Sequence, residues 1–124
     1  MISIGTDILH IPRVEEVLAR QGERFARRIL TPAELQEYQQ AQQGHRLLAK
    51  RFAAKEAIAK ALGTGIGRGV SWQDIHINHD EFGAPQVKLS GGAAQVAEGK
   101  GTPAVELSLS DELDYVVAFA LLRP

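Results

Sequence analysis

Three charged side chains on two segments could hold a divalent cation against a phosphate ester. Asp7 ends the stretch MISIGTD, and Glu56 and Lys60 share the stretch AKEAIAK. Mg2+ is usually bound by one or two carboxylates completed by phosphate oxygens and water. At about 100° per residue, Ala49, Phe52, Ala53 and Ala59 fall within about 60° of Glu56 on a helix. Glu56 is therefore expected on an inward-facing apolar stripe, where a half-buried carboxylate needs a cation. Lys60 is also its i+4 neighbour, and a plain Glu–Lys pair stabilises a helix by about 0.2–0.5 kcal/mol. From spacing alone Glu56 fits either role. Asp7 sits at a strand end beside Gly5, which has no side chain to obstruct a ligand, although an Asp there also caps turns.

The glycine loop GTGIGRG, 63–69, follows the helix directly. The glycines of this loop could bring backbone N–H groups close to a phosphate, or simply end the helix. It is not a P-loop, since the lysine precedes the glycines. Arg13, Arg20, Arg24 and Arg28 are spaced by seven, four and four, with Phe25 among them. They would share one face if the helices carrying them were nearly continuous, giving a docking face for an acidic partner helix or an ordinary solvated surface. His76 and His79 would point to opposite faces of a strand and are not expected as ligands. No nucleophile elbow and no Ser/His/Asp order is visible.

The elements that must position these residues are legible in outline. Ile2, Ile4 and Ile8 fall on one parity of an opening strand, and Asp7 on the other. Pro12 suits the first turn of a helix that frays near Gly22, and ERFARRIL forms a second. TPAELQEY carries a capping box, Thr31 with Glu34. A long helix is predicted over about His45–Leu62. Two strands with a turn at DEFG, a short helix in SGGAAQVAEGKG, and two final strands around Asp111–Asp114 complete the chain. The last strand is apolar on both parities, as a central strand should be. The expected fold is one α+β domain over 1–124, a mainly antiparallel sheet packed on a long central helix.

Composition narrows the classes. The chain has 124 residues, 44% hydrophobic and 23% charged, with net charge −1 and no cysteine. Disulfides, thiol catalysis and zinc–thiolate sites are excluded. A strongly basic nucleic-acid binder is not expected, nor a membrane partner, because YVVAFALL is too short to span a bilayer. A cytoplasmic setting is expected.

IGTDI (Ile4–Ile8), RFARRILTPAE (Arg24–Glu34), LAKRFAAKEAIAKALGTGIG (Leu48–Gly67) and SLSDELDYVVA (Ser108–Ala118) together resemble the bacterial holo-acyl-carrier-protein synthases, which are 4′-phosphopantetheinyl transferases. The resemblance covers nearly the whole chain. It implies transfer of phosphopantetheine from coenzyme A to a serine of apo acyl carrier protein in fatty acid biosynthesis, with release of 3′,5′-ADP. It implies that Asp7 and Glu56 hold Mg2+ at the pyrophosphate and that Lys60 adds a fixed positive charge. Gly63, Thr64 and Gly65 would lie near the nucleotide, and Arg51 would reach a coenzyme A phosphate. Arg13, Arg20, Arg24, Phe25 and Arg28 would meet the acidic carrier helix, and the assembly would be a homotrimer. The acceptor of the serine proton stays open between a water at the metal and the two carboxylates. Many members carry His in a Ser-x-Ser/Thr-His pattern where this chain has Asp111, which some members share. The residues also fit a non-catalytic carrier-protein or nucleotide-binding module, or a structural oligomerisation domain.

Overall fold

Alternation at the N-terminus forms β1 (Ser3–His10), and Pro12 opens α1 (Ile11–Gln21). The structure, a computed structural model, describes residues 1–124. Gly22, at φ 64° and ψ −151°, ends α1 and separates it from α2 (Glu23–Ile29). The predicted capping box is present on α3 (Pro32–Gln40), where Thr31 and Glu34 satisfy each other's backbone N–H. The long helix is α4 (Gly44–Leu62). A 3₁₀ turn, Trp72–Asp74, leads into the hairpin of β2 (Ile75–His79) and β3 (Pro85–Leu89). Then come α5 (Gly91–Gly99), β4 (Ala104–Asp111) and β5 (Tyr115–Arg123).

The fold is α+β, and every strand pairing is antiparallel. One sheet has the order β1–β5–β4 and the other pairs β2 with β3. The doubly apolar β5 is central, as its composition predicts. Its inward residues Val116, Ala118, Ala120 and Leu122 are fully buried in the cluster that includes α4. Their small size, met by alanines on α4, brings sheet and helix backbones close. Ile4, Ile8, Val117 and Phe119 occupy the opposite face of the same sheet and stay exposed.

Eleven of the 19 residues of α4 are buried, so the helix is enclosed around most of its circumference. This corrects the expectation of a single inward stripe centred near Glu56. Glu56 is half-buried, and with Phe52 and Lys60 it forms the margin of the buried surface.

Candidate active site

Gly5 sets the approach of β1 to α4. A Cβ built on it would lie 2.2 Å from the Ala57 carbonyl oxygen and 2.7 Å from the Ala61 nitrogen. Only glycine permits this spacing. Ser3 Oγ donates to the Ala61 carbonyl and ties the strand to the same turn. Asp7 lies two residues along the same strand face, opposite Ala118 and within β1 rather than at the strand end expected, and is thereby brought to the side of α4 that carries Glu56 and Lys60.

Lys60 Nζ donates to Asp7 Oδ1 at 3.2 Å and to the Thr6 carbonyl at 3.0 Å. The helical Glu56–Lys60 pair left open by the spacing is not formed, because the lysine turns across to the strand. Glu56 accepts no hydrogen bond from another protein group. Burial pushes its carboxyl pKa up, the charge of Asp7 pushes it further, and Lys60 opposes in part. The Asp7 side chain is 16% exposed and that of Lys60 51%, so the cluster opens to solvent on the lysine side.

Two hard oxygen donors, each wanting positive charge, suit Mg2+. No group of three or more His, Cys, Asp or Glu is assembled anywhere in the chain. A metal held by Asp7 and Glu56 would therefore depend on oxygens from its ligand, which is the usual way Mg2+ meets a phosphorylated substrate.

The glycine loop begins one turn beyond Lys60. Gly63, at φ 85°, caps α4, and the amides of Gly63 and Gly65 donate back to Lys60 and Ala59. Helix termination thus accounts for these two glycines before any ligand is considered. Thr64 Oγ1 donates to the Gly65 carbonyl. Lys100 Nζ, which nothing in the sequence marks, bonds the Leu62 carbonyl and lies beside Gly63.

Comparison with known proteins decides what this arrangement is part of. The family model for the 4′-phosphopantetheinyl transferase superfamily matches residues 3–120. The chain belongs to that superfamily. Holo-acyl-carrier-protein synthases of Vibrio cholerae and Shewanella frigidimarina are 52% and 53% identical to it over 123 residues, covering 99% of this chain and 98% of each relative. The crystal structure of holo-acyl-carrier-protein synthase from Neisseria meningitidis superposes with a TM-score of 0.93 at 46% identity, over 100% of both chains. That of the Helicobacter pylori enzyme in complex with coenzyme A gives 0.83 at 30%, over 96% of this chain and 98% of the other.

Within this phosphopantetheinyl transferase chain, Arg51 stands apart from the carboxylate pair. It is 3% exposed and donates to Glu37 Oε2 at 3.2 Å, while its buried Nε lies 4.0 Å from Glu34 Oε2, an ion pair without a hydrogen bond. With Arg46, Lys50 and His79 it lines a separate basic cavity of about 350 Å³. Asp111 accepts from Arg46 Nη2 at 2.8 Å, which holds its carboxyl below the usual range. Arg46 also bonds the carbonyls of Glu112 and Leu113, so Asp111 helps fix a cation that lines the cavity. The sequence reading missed Arg46 and Lys50, since neither shares a motif with Asp111.

The condition for one continuous basic face is not met. Because Gly22 breaks the chain, the seven-four-four spacing does not form one continuous helical face. Arg13, Arg20, Arg24 and Arg28 are all exposed, on two helices. Phe25 is only 8% exposed. It shows an edge to a groove of about 240 Å³ shared with Leu9, Arg13, Val14, Val17 and Phe52. Two of these flank the carboxylates: Leu9 follows Asp7 by two residues and Phe52 precedes Glu56 by one turn.

Proposed function

We propose that the protein transfers the 4′-phosphopantetheine group of coenzyme A to a serine of an apo acyl carrier protein, for fatty acid biosynthesis, releasing 3′,5′-ADP. The whole chain, 1–124, would act as one domain. The observation that carries this is the meeting of Asp7 with Glu56 and Lys60 across the Gly5 contact, in a chain about half identical from end to end to holo-acyl-carrier-protein synthases.

Asp7 and Glu56 are the proposed Mg2+ ligands. When bound there, the ion supplies charge neutralisation and a template for the phosphate oxygens. Lys60, now on Asp7 and half exposed, turns to the phosphates and offsets charge that builds on the leaving group. Gly63, Thr64 and Gly65 border the nucleotide. Arg51, which lines the cavity with Arg46, Lys50 and His79, is the proposed seat of a further coenzyme A phosphate. Arg13, Arg20, Arg24 and Arg28 attract the acidic carrier, and the edge of Phe25 gives the docked helix an apolar contact.

The protein is proposed to act in the cytoplasm as a homotrimer. Ile4, Ile8, Val117 and Phe119 leave one sheet face apolar, at 59%, 66%, 41% and 39% exposure, and such a face calls for cover. No helix is long and apolar enough to cross a membrane.

The deciding experiment incubates the protein with apo carrier protein, coenzyme A and Mg2+, then weighs the carrier. A gain of roughly 340 Da, one phosphopantetheine, is expected. An unmodified carrier in the presence of bound coenzyme A would leave a binding module instead.

A further inference from the structure

One buried ammonium joins three segments that lie far apart in sequence. Lys55 is fully buried, and its Nζ donates to Glu34 Oε1 at 2.7 Å, to the Ile29 carbonyl at 2.8 Å and to the Trp72 carbonyl at 3.1 Å. All three N–H bonds of the ammonium are used. Ile29 is the last residue of α2, so the lysine caps a carbonyl that this helix leaves open. Trp72 begins the 3₁₀ turn that follows the glycine loop. Glu34 is saturated too, accepting from the Thr31 amide at Oε1 and the Ile77 amide at Oε2. The rings of Phe25, Phe52 and Trp72 follow the same path, with centroids 6.2 and 5.0 Å apart.

A lysine is a poor way to stabilise a core. Replacing a buried ion pair by apolar groups of similar volume is often neutral or stabilising. What the ammonium adds is direction, since its three acceptors fix where α2, α3 and the Trp72 turn stand relative to α4. The next residue on α4 is Glu56. The helix it caps, α2, carries Arg24, Phe25 and Arg28.

We propose that Lys55 is a positioning residue for the transfer: it holds the docking helix α2 and the Trp72 turn at a fixed place beside Glu56, so that a carrier docked on α2 presents its serine to the phosphate at the Asp7–Glu56 pair. This rests on the function proposed above. The carrier and coenzyme A sites are thus aligned through a residue that touches neither.

The test uses the double variant Lys55→Met/Glu34→Gln, which removes both charges of the pair, keeps an acceptor for the Thr31 or Ile77 amide, and leaves Arg51, whose Nε lies 4.0 Å from Glu34, its bond to Glu37. Melting, coenzyme A affinity with Mg2+, and kcat and KM for the carrier are measured. The expected variant melts near the wild type and binds coenzyme A unchanged, yet loses about 10-fold to 100-fold in kcat/KM for the carrier, the scale of a small misplacement. A stable variant with wild-type kcat/KM overturns the proposal and leaves the pair structural. Should the variant not fold, amide exchange on the wild type decides. Added carrier is expected to slow exchange at Trp72–Asp74 and Ile77 as well as on α1 and α2; protection confined to α1 and α2 overturns the proposal. A wild type that never modifies its carrier removes the function itself, and this inference with it.

Discussion

Glu34 with Lys55, and Asp7 and Glu56 with Lys60, are built from the same two kinds of charge at neighbouring turns of α4, with Glu34 contributed by α3 and Asp7 by β1. In the first set both side chains are fully buried, and every hydrogen of the ammonium and both oxygens of the carboxylate have partners. In the second, Glu56 accepts no hydrogen bond, the lysine is half exposed, and burial together with Asp7 pushes the Glu56 carboxyl toward its protonated form. The first set has nothing left to offer a ligand. The second has two negative charges and one movable positive charge, an imbalance that a metal and a phosphate would correct. Charge in a core is therefore a weak guide to a ligand site, and charge without a protein partner at its margin is a better one.

The sharpest way to break this contrast is to neutralise one carboxylate from each set. Glu56→Gln is expected to lower transfer about 100-fold or more, because several kcal/mol of transition-state stabilisation passes through the metal ligands. Its metal-free melting temperature should be unchanged or higher. Glu34→Ala strands the Lys55 ammonium and should cost about 3–5 kcal/mol of stability. Melting curves beside the mass-shift assay separate the two effects. An active Glu56→Gln protein erases the distinction between the sets.

A second substitution tests what brings the open cluster together. Gly5→Ala places a Cβ against the Ala57 carbonyl and the Ala61 amide, both backbone atoms of a buried helix. The strand must withdraw, at a cost of about 1–3 kcal/mol. Transfer should fall further than the lost folded fraction accounts for, since Asp7 moves with the strand. A variant that loses stability but keeps full kcat would show that the β1–α4 spacing serves only packing.

Local signals carried most of the fold. Parity in 2–8 marked β1, Thr31 and Glu34 marked the start of α3, and the doubly apolar 115–122 marked the central strand. The site was legible as residue types, and its contacts were not. Lys60 meets Asp7 across 53 residues of sequence, a contact no helical spacing encodes. Lys55 lies within the stretch that carries the family resemblance, but periodicity did not place it inward, because α4 is alanine-rich and a helix buried on most sides has little apolar periodicity to distinguish an inward lysine from an outward one. The shared arginine face was conditional on nearly continuous helices, and the break expected near Gly22, where φ is positive, removes that condition.

The arginines allow a smaller effect to be tested. Arg24→Glu should raise the KM for the carrier several-fold and steepen no other parameter, because reversing a rim charge acts on encounter rate and its salt dependence. The KM for coenzyme A should stay flat. A rise in the latter instead would move Arg24 from the docking surface to the nucleotide site.

The smallest expected effect is a difference in how metal-free stability responds to pH. An unfolded Glu titrates near about 4.3. In the fold, burial first and Asp7 second raise the Glu56 value, with Lys60 opposing. The folded state then favours the protonated form. The stability this contributes is fully present below about pH 4.3 and is lost as pH rises through the higher folded value. Glu56→Gln mimics the protonated form at every pH. The melting temperature of wild type minus that of Glu56→Gln should therefore decline as pH rises through that window, while contributions from the other titrating groups largely cancel in the difference. Adding Mg2+ with coenzyme A above the window should reverse the decline in the wild type, because a ligand that binds only the native state stabilises it by mass action. The variant should show little of that gain. Parallel pH profiles with equal gains from Mg2+ and coenzyme A would mean that Glu56 is an ordinary surface carboxylate, and the contrast with Glu34 would then be one of burial alone.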